Sequence, residues 1–341
     1  MDKIIFIDPL SEGGHQNFNN NFIGFFKDKY RVVYCSDSHK IRFFEEKNIF
    51  DSALLSKDNN FLYKLRQIFI LFKSIFVIKG SSSPYVIFLS YELVSFSFFS
   101  HLLCILFPEK KIYTVEHNTF VPNNYLKLMF FRGISKKVKH ICLSEFIEEE
   151  ISRQGKKTIF ITHPFGFCDK SFFEPTINMP VKTSDIFSFM PSSNIGKDIL
   201  TSVENMIRKS RAKCLLFYKG EGASRRGRLI SKKHFDNYEQ LISSASLIFI
   251  PQKFEYRVSG VFFESIASSK AVIIMSDCTY SRAMRNIFRD SVVMLEDLTD
   301  LDDGLSFALN INVDVNHRRM VVQQLEAKSN SNVKREFYGQ M

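Results

Sequence analysis

Short apolar runs that alternate with longer helical patterns most constrain the fold of this chain. The first half contains six candidate strands, each bounded by polar residues: Lys3 to Ile7, Arg31 to Cys35, Tyr85 to Leu89, Lys111 to Val115, Lys139 to Leu143 and Thr158 to Ile161. Helical patterns fall between them, near 15–28, 39–47, 61–78, 92–107, 123–132 and 144–154. Strands that alternate with helices in this way predict βαβ units and a parallel sheet.

The alternation pauses and then resumes in the second half. The pause holds Pro164, Pro175 and Pro180 and shows no periodicity, which predicts a linker at 166–183. Further strands follow at Ile186 to Met190, Lys213 to Tyr218, Leu247 to Ile250, Ala271 to Met275 and Val292 to Leu295, with helices near 197–209, 258–268 and 315–328.

The chain is therefore predicted to be an α/β protein with two Rossmann-like domains. We place the first domain at 1–165, the second at 184–315, and a C-terminal helix and tail at 316–341. Open α/β sheets bind ligands at the carboxyl ends of their strands. Two such domains that face each other would place the active site in the cleft between them.

Phenylalanine is unusually frequent, with 37 Phe and no Trp in a chain of net charge +10. A coding bias explains this excess as well as a membrane-facing surface does. Residues 61–78 are Phe-rich but contain Lys64, Arg66 and Lys73, so a membrane-spanning helix is disfavoured. We expect this helix to rest on anionic lipid. The alternative is an amphipathic domain helix with a solvated Lys face.

Both the start of the chain and its cysteines favour a reducing compartment. The apolar run after Lys3 ends at Asp8, which is too short for the core of a secretory signal. The six cysteines are widely scattered and include no C-x2-C pair. We therefore expect the protein in the cytosol, where thiols stay reduced.

Two polar motifs follow strands of the first domain. Gly13 and Gly14 precede a helix, where backbone N–H groups can approach a phosphate. They form neither a dinucleotide fingerprint nor a P-loop, so an ordinary loop is the alternative. Glu116, His117 and Asn118 end another strand, where a histidine can bond a sugar hydroxyl or a phosphate. A polar loop with its own hydrogen bonds is the alternative there.

The richest segment, residues 254–267, follows the strand that ends at Ile250. Ser259 and Gly260 would open a helix whose free N–H groups can hold a diphosphate. Glu264 lies one turn further on the same face, where its carboxylate could accept both hydroxyls of a ribose. Arg257 is placed to neutralise phosphate. The alternative is an ordinary amphipathic helix, and a buried Glu264 then needs a partner.

These residues resemble the retaining GT-B glycosyltransferases, especially the family 4 group that uses nucleotide-sugar donors. The run from Glu264 to Ile273 is similar to the Glu-Ala helix and following strand of that family, and Lys197 matches its diphosphate-binding lysine. Gly13 and Gly14 with His117 are similar to the glycine loop and histidine of its first domain. The run from Tyr218 to Gly222 resembles its glycine loop near the nucleobase.

Some positions depart from the family pattern. Tyr256 stands where the family has an earlier acid, with Glu255 one place away. Ser259 occupies the position of its helix-opening glycine, and Ser192 that of its diphosphate-binding arginine. We hypothesise that Arg257 supplies the missing positive charge.

The resemblance implies a GT-B fold and transfer of a sugar from a nucleotide-diphosphate donor, with retention of configuration. Together with the hypothesis on Arg257, it predicts these site residues: His117, Lys197 and Arg257 as catalytic, and Gly13, Gly14, Gly220, Ser259, Gly260 and Glu264 as donor-binding. Positive charge can stabilise the leaving diphosphate without a metal. We therefore expect neither metal nor cofactor. The Asp300-Leu301-Asp302 motif is more simply explained as a solvated turn or helix cap.

The expected partners are a nucleotide sugar, a lipid-linked or oligosaccharide acceptor and an anionic membrane surface. These place the chain at the inner face of the bacterial inner membrane, in O-antigen or capsule biosynthesis. The basic cluster from Arg225 to Lys233 lacks a recognition motif, so no nucleic acid is expected. A sugar-nucleotide epimerase or phosphorylase is a second enzyme hypothesis. A non-catalytic sugar- or nucleotide-binding partner is the alternative of another class.

Overall fold

Two β-sheets, built mainly from parallel strands, organise the chain. The computed structural model describes residues 3–10, 15–26, 30–35, 45–48, 60–165, 186–191, 196–209, 214–220, 222–295, 308 and 310–339. The first sheet contains β1 (Lys3–Asp8), β2 (Tyr30–Cys35), β3 (Glu45–Asn48), β4 (Tyr85–Phe88), β5 (Lys111–Glu116), β6 (Lys139–Cys142) and β7 (Lys157–Phe160). Its strands are parallel, in the order β3-β2-β1-β4-β5-β6-β7.

Helices cover both faces of the first sheet. They are α1 (His15–Ile23), α2 (Asn60–Lys79), α3 (Leu93–Leu106), α4 (Tyr125–Gly133) and α5 (Glu145–Arg153). Alternate strand residues point to opposite faces. Ile5 and Phe88 pack in the core with α2 to α5, whereas Phe6 and Leu89 pack in a second core with α1. This two-sided burial accounts for the continuous apolar strands.

The second sheet repeats the pattern with a hairpin added at one edge. Its strands are β8 (Ile186–Met190), β9 (Cys214–Lys219), β10 (Ser224–Arg226), β11 (Leu229–Lys232), β12 (Leu247–Ile250), β13 (Val272–Ser276) and β14 (Val292–Leu295). The order is β10-β11-β9-β8-β12-β13-β14, and β10 is antiparallel to β11. The helices are α6 (Lys197–Lys209), α7 (Tyr238–Ser244), α8 (Gly260–Ser268), α9 (Thr279–Phe288) and α10 (Val315–Val333).

The chain divides into two compact units. The first unit comprises Met1–Pro164, Tyr256–Val258 and Leu325–Met341, and the second comprises Phe165–Glu255 and Ser259–Gln324. The predicted linker at 166–183 lies outside the described residues. Among the helices that are described, none has the length and apolar character needed to cross a bilayer.

Several local predictions were wrong or incomplete. The segment 45–48 is the edge strand β3, although the pattern predicted a helix over 39–47. Its polar sequence does not predict a strand, and it forms one because it pairs with β2 through backbone hydrogen bonds. The β10–β11 hairpin, α7 and α9 were not predicted from the sequence because they are short or strongly polar. Ser144 precedes α5 as expected, but its side chain makes no capping hydrogen bond.

The C-terminal segment completes the first unit. After α10, a π-helical turn runs from Lys334 to Tyr338. Its Phe337 is fully buried and packs against the rings of Phe26 and Tyr113. Glu336 accepts a hydrogen bond from the Tyr113 hydroxyl and forms an ion pair with Lys139, both at 2.7 Å. Phe337 is therefore part of the first unit's core.

A buried arginine anchors the start of α10 within the second unit. The Arg318 guanidinium is fully buried and donates to the carbonyl oxygens of Ser269 at 2.6 Å and Ala271 at 2.7 Å. Its Nε donates to the Ser291 hydroxyl at 3.1 Å. Burial lowers the pKa of Arg318 to about 10, so it stays charged near neutral pH. This side chain joins the connection before β13 to the turn before β14.

Replacing Arg318 by Met should destabilise the second unit strongly. The three acceptors would remain buried without donors, which we expect to lower the free energy of unfolding by about 3 kcal/mol. Urea denaturation followed by circular dichroism measures the change. Arg319→Met, at the exposed neighbouring position, is the matched control and should change stability by less than about 0.5 kcal/mol. Equal effects from both variants would contradict an anchoring role.

Candidate functional site

Each sheet has one point where the strand order reverses. In the first sheet β1 lies between β2 and β4, and in the second β8 lies between β9 and β12. The connections after the two central strands of such a sheet leave in opposite directions, which opens a crevice at their carboxyl ends. Polar side chains at these two points are therefore the candidates for function.

A buried carboxylate joins the strand ends in the first unit. Asp8 ends β1 and accepts a hydrogen bond from the Asn19 amide of α1 at 2.7 Å. It also accepts one from the hydroxyl of Ser90, which follows β4. Ser90 Oγ in turn accepts from the Leu10 N–H at 3.2 Å. The sequence analysis missed Asp8 because it treated this residue only as the end of an apolar run.

His117 lies at the same edge, directly after β5. Its Nε2 donates to the carbonyl oxygen of Leu89 at 3.0 Å, so the lone pair of the neutral ring is on Nδ1. The ring packs edge-on against Phe18 of α1, with 4.4 Å between centroids. The half-buried imidazole is thus held in one orientation at the reversal point. Gly13 and Gly14, predicted to act with it, lie outside the described residues.

A buried network fixes the strand end beneath His117. The Glu116 carboxylate accepts from the Tyr91 hydroxyl at 2.9 Å, from Nδ1 of His140 at 2.7 Å, and from the Thr119 hydroxyl. Burial and the neighbouring carboxylate raise the pKa of Tyr91 well above its usual range, so Tyr91 remains a donor. Glu116 is therefore an anchoring residue, and His117 is the member of the motif nearer to solvent.

In the second unit, Glu264 projects from the first turns of α8 and meets α7. Its Oε2 accepts a hydrogen bond from the Tyr238 hydroxyl at 2.8 Å. Among the described residues, Oε1 has no hydrogen-bond donor. The amine of Lys219, the last residue of β9, lies 4.9 Å from the centre of the Tyr238 ring. Glu264 thus has a partner and keeps one oxygen available.

The surroundings of Glu264 act on its pKa in opposite directions. Burial raises the pKa of the Glu264 carboxyl, while the Tyr238 hydrogen bond and the charge of Lys219 lower it. Burial also lowers the pKa of Lys219, and Glu264 opposes that shift. The sequence analysis missed both Tyr238 and Lys219 as neighbours of Glu264. Lys219 is 45 positions away in the sequence (264 − 219), and α7 is too short for its periodicity to be visible.

The start of α8 matches the predicted helix opening. Ser259 is the N-cap, and its hydroxyl accepts from the Phe262 N–H at 3.3 Å. The N–H groups of Gly260 and Val261 fall in the first turn, which has no acceptors within the helix. Lys197 begins α6, after the neighbouring strand β8, and its side chain is exposed. Ser192 lies outside the described residues.

The residues that depart from the family pattern have other contacts here. Tyr256 packs with the first unit, where its ring lies 5.5 Å from that of Phe120. Glu255 accepts a hydrogen bond from the Thr279 hydroxyl at 2.6 Å. Arg257 is exposed between Tyr256 and Val258, and it belongs to the first unit with His117.

Gly220 has a structural reason to be glycine. Its N–H donates to the carbonyl oxygen of Lys232 on the adjacent β11, at 3.0 Å. A Cβ at this position would lie 3.1 Å from Cβ of Ser231, closer than nine in ten real contacts. Close packing of β9 on β11 therefore explains Gly220 without a ligand, and its donor-binding role remains a prediction.

Two groups emerge from the predicted residues. Ser259, Gly260 and Glu264 lie together on α8, whereas His117 and Arg257 belong to the other unit. Within the described ranges, no cluster of three or more His, Cys, Asp or Glu side chains is placed to hold a metal ion. Asp300 and Asp302 lie outside those ranges, so metal independence remains a prediction.

Comparison with known proteins identifies the architecture. No known family profile matches the sequence, and no curated protein matches it either. The lipopolysaccharide outer core galactosyltransferase WaaB is 13% identical with a TM-score of 0.66, over 99% of this chain and 100% of that one. The fold is that of the GT-B glycosyltransferases.

Two further structures support the same fold. Sucrose-phosphate synthase from Thermosynechococcus elongatus is 11% identical with a TM-score of 0.65, covering 97% of this chain and 95% of its own. Anabaena HepE, solved in complex with UDP and glucose, is 9% identical with a TM-score of 0.62 and the same coverage. The GT-B fold expected from the sequence is therefore confirmed over nearly the whole chain.

The opposing influences on Glu264 predict a pH-dependent stability difference. Because burial raises the pKa in the folded state above that of the unfolded chain, ionised Glu264 destabilises the protein at pH values above both. As the pH falls from 7 to about 4.5, the parent should gain stability relative to Glu264→Gln. Urea midpoints along this range measure the difference. Asp236→Asn, at an exposed position before α7, should show no comparable trend. If the stability difference between the parent and Glu264→Gln does not change with pH, the raised pKa of Glu264 is contradicted.

Proposed function

We propose that this protein is a glycosyltransferase that moves a sugar from a nucleoside-diphosphate donor to a saccharide acceptor. The proposed donor site is at the carboxyl edge of the second sheet, and the first unit is proposed to take the acceptor. Support comes from the GT-B fold and from the side chains that meet at the strand-reversal point of the second sheet. We further propose that the reaction retains anomeric configuration and needs no metal.

The geometry of Glu264 is the observation that carries the proposal. A carboxylate with one oxygen held by Tyr238, and with no donor to the other among the described residues, can accept hydrogen bonds from a ribose diol. It lies one turn beyond Ser259 and Gly260, where N–H groups at a helix start can bind a diphosphate. The separation of one turn matches the short distance between ribose and phosphates in a nucleotide.

The transfer requires stabilisation of a leaving diphosphate. The bond between the anomeric carbon and the diphosphate oxygen breaks, and the same carbon bonds the acceptor hydroxyl, which releases its proton. Negative charge grows on the diphosphate, so we assign Lys197, Arg257 and the first N–H groups of α8 to its neutralisation. His117 is proposed to contact the sugar, with the Leu89 carbonyl fixing its ring.

The substrate class follows from the structural neighbours as a proposal. HepE was solved with UDP and glucose, which supports a nucleotide-sugar donor. WaaB is a galactosyltransferase of the lipopolysaccharide outer core, which supports a role in bacterial surface polysaccharide synthesis. We propose a lipid-linked saccharide as the acceptor on the same basis.

Nucleotide binding tests the role of Glu264. Thermal shifts with UDP, GDP, ADP and CMP identify the nucleotide that binds best, and calorimetry then compares it with its 2′-deoxy analogue. The parent should prefer the ribonucleotide, and Glu264→Ala should bind it about 10- to 100-fold more weakly and lose the preference. Asp236→Asn should retain both affinity and preference. Stabilisation by none of the nucleotides, or an unchanged preference in Glu264→Ala, would overturn the proposed donor site.

Donor turnover tests the two cations. Release of nucleotide from the preferred donor should fall about 10²- to 10³-fold in Lys197→Ala and in Arg257→Ala, because each loses charge from the leaving diphosphate. Arg208→Ala, at an exposed position on α6, should retain the parental rate. Nucleotide binding without any turnover by the parent would instead identify a non-catalytic binding protein.

A further inference from the structure

Exposed apolar side chains of this protein are concentrated on one layer of helices. Ten of the eleven large exposed hydrophobic residues in the described part of the chain lie on α2, α3 and α4: Ile68, Phe69, Phe72, Phe76, Phe98, Ile105, Leu106, Tyr125, Leu126 and Met129. The remaining one, Met320, is on α10. Single exposed apolar residues are ordinary, but a concentration of this kind marks an interaction surface.

The three helices form one continuous layer on the first sheet. Phe72 of α2 contacts Phe99 of α3, with 6.0 Å between ring centroids, and Phe98 of α3 contacts Phe130 of α4 at 6.2 Å. The His101 ring of α3 is also 2.8 Å from the Gly133 carbonyl oxygen at the end of α4. The outward apolar side chains of the layer therefore belong to a single face, which we name the α2–α4 face.

Helix α2 shows why this face is not part of the core. Its buried residues Ile70, Leu71, Ser74 and Ile78 recur at helical spacing and point to the sheet. Phe69, Phe72 and Phe76 recur with the same spacing on the opposite side, and Phe76 is 74% exposed. Helix α2 thus has two apolar stripes, and the fold buries only one of them.

The charge around the α2–α4 face is strongly positive. Residues 60–138 contain ten Lys or Arg and three Glu, and one of those three, Glu116, is buried. Lys73 lies over the ring of Phe69 at 4.7 Å, and Lys79, Lys127 and Lys137 are exposed. Apolar side chains interspersed with cations are the combination that binds an anionic lipid surface.

We propose that the α2–α4 face docks this protein flat on a membrane that contains anionic lipid, with the phenylalanines inserted at the level of the headgroups. From the sequence, residues 61–78 and a second group of phenylalanines in 96–107 are candidates for this role, and the structure adds α4 and places the three helices in one layer. A second copy of the chain is disfavoured as the occupant, since pairing this face with itself would oppose like charges. Docking needs neither donor nor acceptor, so it is separable from the proposed transfer.

Vesicle sedimentation tests the proposal with matched variants. Vesicles of phosphatidylglycerol and phosphatidylcholine should pellet the intact protein at low salt, more strongly than vesicles of phosphatidylcholine alone. The triple variant Phe69→Ser, Phe72→Ser, Phe76→Ser should lower the partition coefficient by about tenfold or more. Met320→Ser is the apolar control. Lys127→Glu with Lys137→Glu should weaken binding, whereas the same charge change at Arg208 and Lys270 should have a smaller effect.

The sequence contains no tryptophan, so a single introduced tryptophan can report by its fluorescence on one helix at a time. Phe76→Trp, Phe98→Trp and Met129→Trp each place a single indole on one helix of the face, and Met320→Trp places one elsewhere. The first three should shift to shorter emission wavelength on vesicles and be quenched by brominated lipid, and the control should not. A shift from α2 alone would overturn the three-helix face. Parental pelleting by the triple variant, or self-association that this variant abolishes, would overturn lipid docking.

Discussion

The rest of this structure depends on the parallel pairing of its strands. Parallel strands need long connections, so helices cover both faces of each sheet and the carboxyl ends of the strands meet at one edge. Side chains far apart in the sequence are brought together there because the register aligns the strand ends. Asp8 meets Ser90 at the edge of the first sheet, and Lys219 lies near Glu264 at that of the second. The chemistry proposed for this protein is therefore confined to these edges by the hydrogen-bond pattern.

Two glutamates at these edges, the buried Glu116 and the half-buried Glu264, have different surroundings, and this difference distinguishes a structural role from a binding role. Glu116 accepts hydrogen bonds from three side chains, so its charge is satisfied within the fold. In the part of the chain that the structure describes, Glu264 has one donor, Tyr238, and a half-buried Lys219 nearby, which leaves acceptor capacity for a ligand. A fully bonded carboxylate stabilises the loop that carries His117, whereas an incompletely bonded one is available to bind. The count of donors, rather than burial alone, distinguishes the two.

Most of the fold could be predicted from the sequence, because short apolar strands that alternate with longer helical segments form a recognisable pattern. The exceptions are elements whose stability comes from neighbours. Strand β3 has the sequence Glu-Glu-Lys-Asn and exists because β2 offers a free edge. The seven-residue helix α7 is too short to show a period, so Tyr238 was missed. Glu264 could be found because an apolar helical pattern follows a clear strand there, whereas the proximity of Lys219 depends on strand order, which periodicity does not reveal.

The C-terminal segment also limits how domains of this protein can be exchanged. The core of the first unit includes Phe337, and the ion pair between Glu336 and Lys139 ties the chain end to β6. A chimera made by one crossover after Pro164 would therefore combine the first sheet of one parent with the C-terminal segment, from Leu325 onward, of another. An exchange that preserves the first unit needs a second junction near Leu325. Recombination between such genes, in nature or in the laboratory, would succeed more often when the segments before Pro164 and after Leu325 come from the same parent.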